Sequence, residues 1–166
     1  MKKIIVLISI LFIASCASVG VKKPGMATLQ NQKIEDGTKS HALMFVKVDG
    51  KELKNSNPLG APNKASYYIT PGKKRLEIKA TLITEEIDLV WAAKFDVQAE
   101  LKENEIYKIR ASEKNWCIKI EVVDSSNEVV VGPEFGKVSP FLSYNHMQNS
   151  YLMGKVKNIL NTASCI

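Results

Sequence analysis

The groups able to do chemistry in this chain are three cysteines (Cys16, Cys117, Cys165), two histidines (His41, His146) and a short acidic run, Glu85-Glu86 with Asp88, just before Trp91. Paired carboxylates are the equipment of glycoside hydrolysis, but that chemistry needs a fixed separation, which a loop does not impose. The histidines lie far apart with no HxxH or HExxH spacing and no neighbouring cysteine or carboxylate cluster, so the sequence assigns no metal. Ser139 and Ser143 fall near His146 without a Gly-x-Ser-x-Gly elbow, and a hydroxyl that no base orients is a weak nucleophile. Lys73-Lys74-Arg75 offers cations to a phosphate or an anionic glycan, but beside Pro71-Gly72 it reads first as the solvated edge of a hairpin. Aromatic side chains supply contact area at low conformational cost, which makes Tyr67, Tyr68 and Trp91, with Trp116, the candidates for touching a partner, although core packing is the expectation for most of them. No catalytic residue and no cofactor is assigned.

Those groups must be positioned by a chain whose dominant pattern has a period of two, the mark of half-buried strands. From Lys74 to Thr84, Leu76, Ile78, Ala80 and Leu82 fall on one face, and Arg75, Glu77, Lys79 and Thr81 on the other. Ala93 to Lys102 repeats this, setting Phe95, Val97, Ala99 and Leu101 against Lys94, Asp96, Gln98 and Glu100. Tyr107 to Ala111 and Ile118 to Val122 alternate in the same way, and shorter strands are predicted at Leu43 to Val48, around Tyr67 to Ile69 and at Val129 to Val131. Turn formers separate the runs: Asp49-Gly50, Pro71-Gly72, Glu103-Asn104-Glu105 and Asp124-Ser125-Ser126-Asn127. About seven short strands with polar turns predict a mainly β fold, a small antiparallel β-sandwich. Beyond Gly132-Pro133, Leu142, Met147, Tyr151, Leu152, Val156, Ile159 and Leu160 recur every three to five residues. A C-terminal helix near Ser143 to Asn161 follows, its apolar stripe lying on the sandwich or receiving a partner helix.

The first sixteen residues carry a different signal. Met1-Lys2-Lys3 is a cationic start, and Ile4 to Ala14 is apolar except for Ser9, the pattern of an export leader. As a helix that apolar stretch would span only about 16 Å, roughly half the hydrocarbon thickness of a bilayer. It ends in Ile13-Ala14-Ser15-Cys16, which resembles the bacterial lipobox. The resemblance implies that residues 1–15 are a signal peptide, that the Cys16 thiol accepts diacylglycerol, and that cleavage leaves Cys16 as an acylated first residue. Several acyl chains meet the requirement for stable anchoring. Ala17 stands where an aspartate would resemble an inner-membrane retention signal, which implies the outer membrane and a periplasm-facing domain. Residues 16–38 then read as the lipidated cysteine and a polar tether, with Lys22 and Lys23 within reach of head groups, and 39–166 as the folded domain. With Cys16 lipidated, Cys117 and Cys165 remain as an even pair in an exported domain, and a disulfide between them is predicted. Cys117 lies on the strand face opposite Ile118, Ile120 and Val122, so the bond would hold the C-terminal segment on the outer side of the sheet.

Residues 42 to 132 resemble the transthyretin-like and PEGA-like sandwiches of bacterial envelope proteins, through Val46-Lys47-Val48-Asp49-Gly50-Lys51, Tyr68-Ile69-Thr70-Pro71-Gly72-Lys73 and Glu105-Ile106-Tyr107-Lys108-Ile109. Composition agrees with one folded domain: 166 residues, 45% hydrophobic and 24% charged, exclude a disordered or polytopic membrane chain. Setting Lys2 and Lys3 aside with the leader leaves 21 basic against 17 acidic residues, an excess too small and too dispersed for a nucleic-acid footprint. The expectation is a lipid-anchored, non-enzymatic interaction or structural module of the cell envelope, held to the membrane through Cys16 and contacting an unknown envelope protein or glycan. An alternative, a periplasmic glycan or cell-wall-modifying enzyme, requires a cleft joining Glu85 to Asp88 with Trp91. A small-ligand carrier would require an enclosed apolar cavity.

Overall fold

The computed structural model describes residues 22–36, 39–54, 66–84, 87–141 and 150–165. The strands among them are β1 Ala27–Gln30, β2 Gln32–Asp36, β3 Lys39–Val48, β4 Lys51–Glu52, β5 Ser66–Ile69, β6 Gly72–Thr84, β7 Ile87–Leu101, β8 Ile106–Lys114, β9 Cys117–Val123, β10 Val129–Lys137 and β11 Ser139–Phe141; one helix, α1 Ser150–Thr162, follows. Sheet A runs β10-β9-β8-β1-β5, and sheet B runs β11-β7-β6-β3-β2 with β4 on β3. Every described pairing is antiparallel except β1 with β8. The alternation read from the sequence supplies the core. Leu76, Ile78, Ala80 and Leu82 of β6 are fully buried, and Ile109, Ile118, Ile120 and Val122 close the same cluster from the other sheet. This is the expected small β-sandwich, with more strands than the sequence signalled.

The tether is the first correction. Residues 27–30 and 32–36 are strands, so the sandwich begins at Ala27, not residue 39. Ala27-Thr28-Leu29-Gln30 contains only two apolar side chains, yet all four residues are buried in β1, which is inserted between β5 and β8. Asn31 then carries the chain from sheet A to sheet B. Its Oδ1 accepts the Phe45 N–H at 2.9 Å and its Nδ2 donates to the Tyr67 hydroxyl at 3.4 Å, so one buried amide ties three strands at the corner.

A second corner lies at Val138. The strand pairs with β9 as β10 and with β7 as β11, and fully buried Val138, between them, donates its N–H to the Trp116 carbonyl at 3.1 Å. Glycine is required on that path. A Cβ on Gly136 would come within 2.8 Å of the Phe95 ring, so only a bare backbone passes over β7 there.

Of the helix expected over Ser143 to Asn161, α1 occupies Ser150–Thr162, and residues 142–149 lie outside the described residues. Val156 is 2% exposed and joins the core cluster with Ile159 against it, so this part of the apolar stripe lies on the sandwich, whereas Leu160 is exposed. Cys165 is disulfide-bonded to Cys117, and the Ser164 N–H donates to the Asn115 carbonyl at 3.1 Å. Among the described residues no helix is long and apolar enough to cross a membrane.

Candidate functional site

Hollows among the described residues lie on the outer face of sheet B. Strand alternation sends Lys73, Arg75, Glu77, Lys79 and Thr81 of β6 to that face, and antiparallel register sets Glu100, Gln98, Asp96, Lys94 and Ala92 of β7 opposite them. Three adjoining hollows follow this double row. One of about 430 Å³ lies over Lys73, Lys74 and Arg75. A second of about 470 Å³ lies between Asp49, Arg75, Glu77 and Asp96. The third, about 750 Å³, is bounded by Lys47 and Glu52 on one side and by Lys137, Ser139 and Pro140 of the β10–β11 corner on the other. Ala92 and Lys79 form part of its floor, and a small side chain at residue 92 leaves the space open.

The two smaller hollows are electrostatically closed. Asp49 sits in the left-handed region beside Gly50 in the two-residue β3–β4 turn, with φ of 50° and 78°, the backbone that Asp-Gly is suited to. Its Oδ1 accepts the Arg75 N–H at 2.9 Å and its Oδ2 pairs with Lys74 at 3.2 Å. The Arg75 guanidinium grips the Asp96 carboxylate with two nitrogens. Lys47 answers Glu77 at 3.2 Å, directly opposite in the register. The cationic run Lys73-Lys74-Arg75 therefore has two of its three charges matched, and β6 lies inside sheet B, not at a hairpin edge.

These pairs set the response to acid. The Arg75 N–H and then Lys74 hold the Asp49 carboxyl below its ordinary value, Arg75 does the same for Asp96, and Lys119 followed by Arg110 does so for Glu121 on sheet A. A carboxylate whose folded pKa is depressed stabilises the fold above its unfolded pKa and loses that contribution as pH falls through the folded one. The melting temperature is therefore expected to be level from pH 7 to about 5 and to fall below about pH 4, less steeply in Asp49→Asn, which keeps the turn. Calorimetry at pH 7 and pH 3 checks this; an equal midpoint at both would contradict it.

The largest hollow has the opposite balance. Lys79 and Lys94 stand directly opposite each other, an arrangement that is unfavourable for like charges at a Cβ separation of about 5 Å. Lys79 is 8% exposed, and burial followed by the Lys94 charge pushes its ammonium below the usual lysine range. Lys137 comes in from the corner, and neither Lys94 nor Lys137 forms an ion pair among the described residues. Four lysines and two glutamates line this groove, one glutamate already engaged by Lys47. The positive zone is thus concentrated on Lys94 and Lys137, with Lys79 in the floor beside them.

The predicted contact residues separate. Trp91 is fully buried, opposite Leu82 on the inner face of sheet B, with its ring 4.8 Å from that of Trp116. It is a core residue, because outward alternation on β7 belongs to Val90 and Ala92. The cleft that the enzyme alternative needs at Trp91 is therefore filled by packing; Asp88 falls in β7, and Glu85 and Glu86 lie outside the described residues. Tyr67 is half-buried with its hydroxyl at the Asn31 corner, where burial raises its pKa. Tyr68 alone of the three stays exposed, at 40%, with the Lys23 ammonium 5.6 Å from its ring centre. His41 lies in β3 opposite Leu82 and Ile34, Ser139 lines the large groove, and Cys16, Ser143 and His146 lie outside the described residues. No group of three or more metal-ligating side chains comes together among the described residues.

The chain matches no family model, no curated protein and no solved structure. Its chemistry is that of its own side chains, a cation-rich groove on the outer face of sheet B.

Proposed function

We propose that this chain is a bacterial envelope lipoprotein: a non-enzymatic, transthyretin-like or PEGA-like sandwich held to the outer membrane through acylated Cys16, facing the periplasm and presenting the outer face of sheet B to an envelope protein or glycan. The observation that carries the reading is the arithmetic of sulfur. Cys117 and Cys165 are bonded to each other, a pairing at home in oxidising compartments, and the cysteine that is left is the one in Ile13-Ala14-Ser15-Cys16. Ten residues lead from Cys16 to Met26, at the head of β1, so the sandwich would stand no more than about 35 Å from the lipidated sulfur. That is a much shorter lead than a tether running to residue 38 would give. The mechanism is positional: acyl chains confine the domain to a surface, and the sheet offers a fixed set of charges to whatever shares it.

Expression in a Gram-negative host with radiolabelled palmitate tests the anchoring. The full-chain protein should carry label and sediment with membranes, whereas Cys16→Ala should lose the label and accumulate as a longer precursor. Equal labelling of the two would contradict the reading.

A further inference from the structure

We propose that the groove over Lys79, Lys94 and Lys137 binds the phosphomonoester group of an organic ligand. Along the outer face of sheet B the carboxylates of Glu77 and Asp96 oppose each other, and each is answered, by Lys47 and by Arg75. One register step further, Lys79 and Lys94 oppose each other, and Lys137 is added from the β10–β11 corner. Lys94 and Lys137 form no ion pair among the described residues and Glu52 is the remaining carboxylate on the lining, so these two lysines leave the zone an excess of positive charge.

The corner fixes that zone. Buried Val138 is hydrogen-bonded to Trp116, and Gly136 lies hard against Phe95, so the backbone on either side of Lys137 is held by packing. A cationic cluster on a rigid sheet, with one member nearly buried, is prepared for an anion of more than one charge, because the lysines' mutual repulsion is relieved when the anion arrives. A phosphomonoester dianion has three terminal oxygens for several ammonium donors, and the Ser139 hydroxyl adds another donor on the groove wall. A hexuronate brings a single charge to the same donors. The volume decides between a bare ion and an ester. About 750 Å³ is within the range of organic-ligand sites and much larger than phosphate, and Val46, Ala92 and Pro140 give the organic part an apolar lining.

This inference deepens the binding-module reading and rests on it for the domain's role, whereas the contact itself needs no anchor. The test is calorimetric titration of the full-chain protein in detergent, and of its Cys16→Ala form, with a hexose 6-phosphate, inorganic phosphate, a hexuronate and the neutral hexose. The hexose phosphate should bind both proteins alike, about tenfold or more tighter than the hexuronate or the hexose, and inorganic phosphate should bind more weakly than the ester. Lys94→Met with Lys137→Met should weaken the ester about tenfold or more and leave the melting temperature near its original value, since both side chains are exposed. Raising the salt from 50 to 500 mM should weaken it as well. Absence of binding, equal binding of hexuronate or hexose, or an affinity that the double variant leaves unchanged would overturn the proposal. A protein with Cys16 intact that carries no palmitate label yet still binds the ester would sink the anchoring and spare the groove.

Discussion

Trp91→Ala is expected to lower the unfolding free energy by about 3–5 kcal/mol, the cost typical of emptying a core position of this size. Trp91 is fully buried, lies opposite Leu82 in the β6–β7 register, and packs its ring on Trp116 at 4.8 Å. The contact also supports an unfavourable backbone. Trp116 occupies the two-residue β8–β9 turn with φ of 60°, a region that costs a bulky L-residue about 1–2 kcal/mol. Three contacts hold it there: the Trp91 ring, the Glu113 carboxylate accepting its N–H at 2.9 Å, and the Val138 N–H on its carbonyl. Removing Trp91 therefore leaves a cavity and releases the turn on which the β10–β11 corner and the C-terminal segment both lean. Trp91→Phe should be far milder. It keeps most of the volume and deletes an indole N–H that has no acceptor among the described residues. Urea denaturation followed by circular dichroism separates the cases. A shift of the alanine variant's midpoint below about 1 kcal/mol equivalent would mean that Trp91 is no core residue and would reopen its role as a contact surface.

Loss of the Cys117–Cys165 bond is expected to cost about 4 kcal/mol in the chain-entropy model, given a separation of 48 residues. The effect should also be felt locally. Outside the bond, the C-terminal segment is held by the Ser164 to Asn115 hydrogen bond, by buried Ala163 and by Val156 and Ile159 on the core. Replacing both cysteines by alanine should lower the urea midpoint and make residues 150–165 a preferred site of proteolysis while the sheets persist. An unchanged midpoint, with the same protease pattern before and after reduction, would show that the bond holds nothing the packing does not.

The sheets were legible because their outward and inward residues differ in kind. β6 and β7 alternate over many residues, and their turns carry Asp49-Gly50, Pro71-Gly72 and Asn104, several of them at positive φ in the folded chain. β1 was not legible, since Thr28 and Gln30, with Asn31 just after them, are polar yet buried at a place in the sheet that only the tertiary fold supplies. β11 and the corner at Val138 were hidden for the same reason.

The groove illustrates a subtler failure. Alternation alone assigns Lys79 and Lys94 to outer faces, but a tight turn at Glu85-Glu86 would set Lys79 opposite Ala92. An irregularity between Ile83 and Thr84 moves the register by two residues and brings the lysines together. Aromatic type makes Trp91 a candidate contact, whereas its parity makes it core. It shares phase with Ala93, Phe95 and Val97, all of them buried.

The most direct measurement is peptide mapping by mass spectrometry, without reduction, of the full-chain protein extracted from the envelope of a Gram-negative host. The account predicts an N-terminal peptide beginning at Cys16 and carrying acyl chains, together with a cross-linked peptide pair joining Cys117 to Cys165. An N-terminus that keeps Met1 and bears no lipid, with all three thiols open to alkylation, would contradict it.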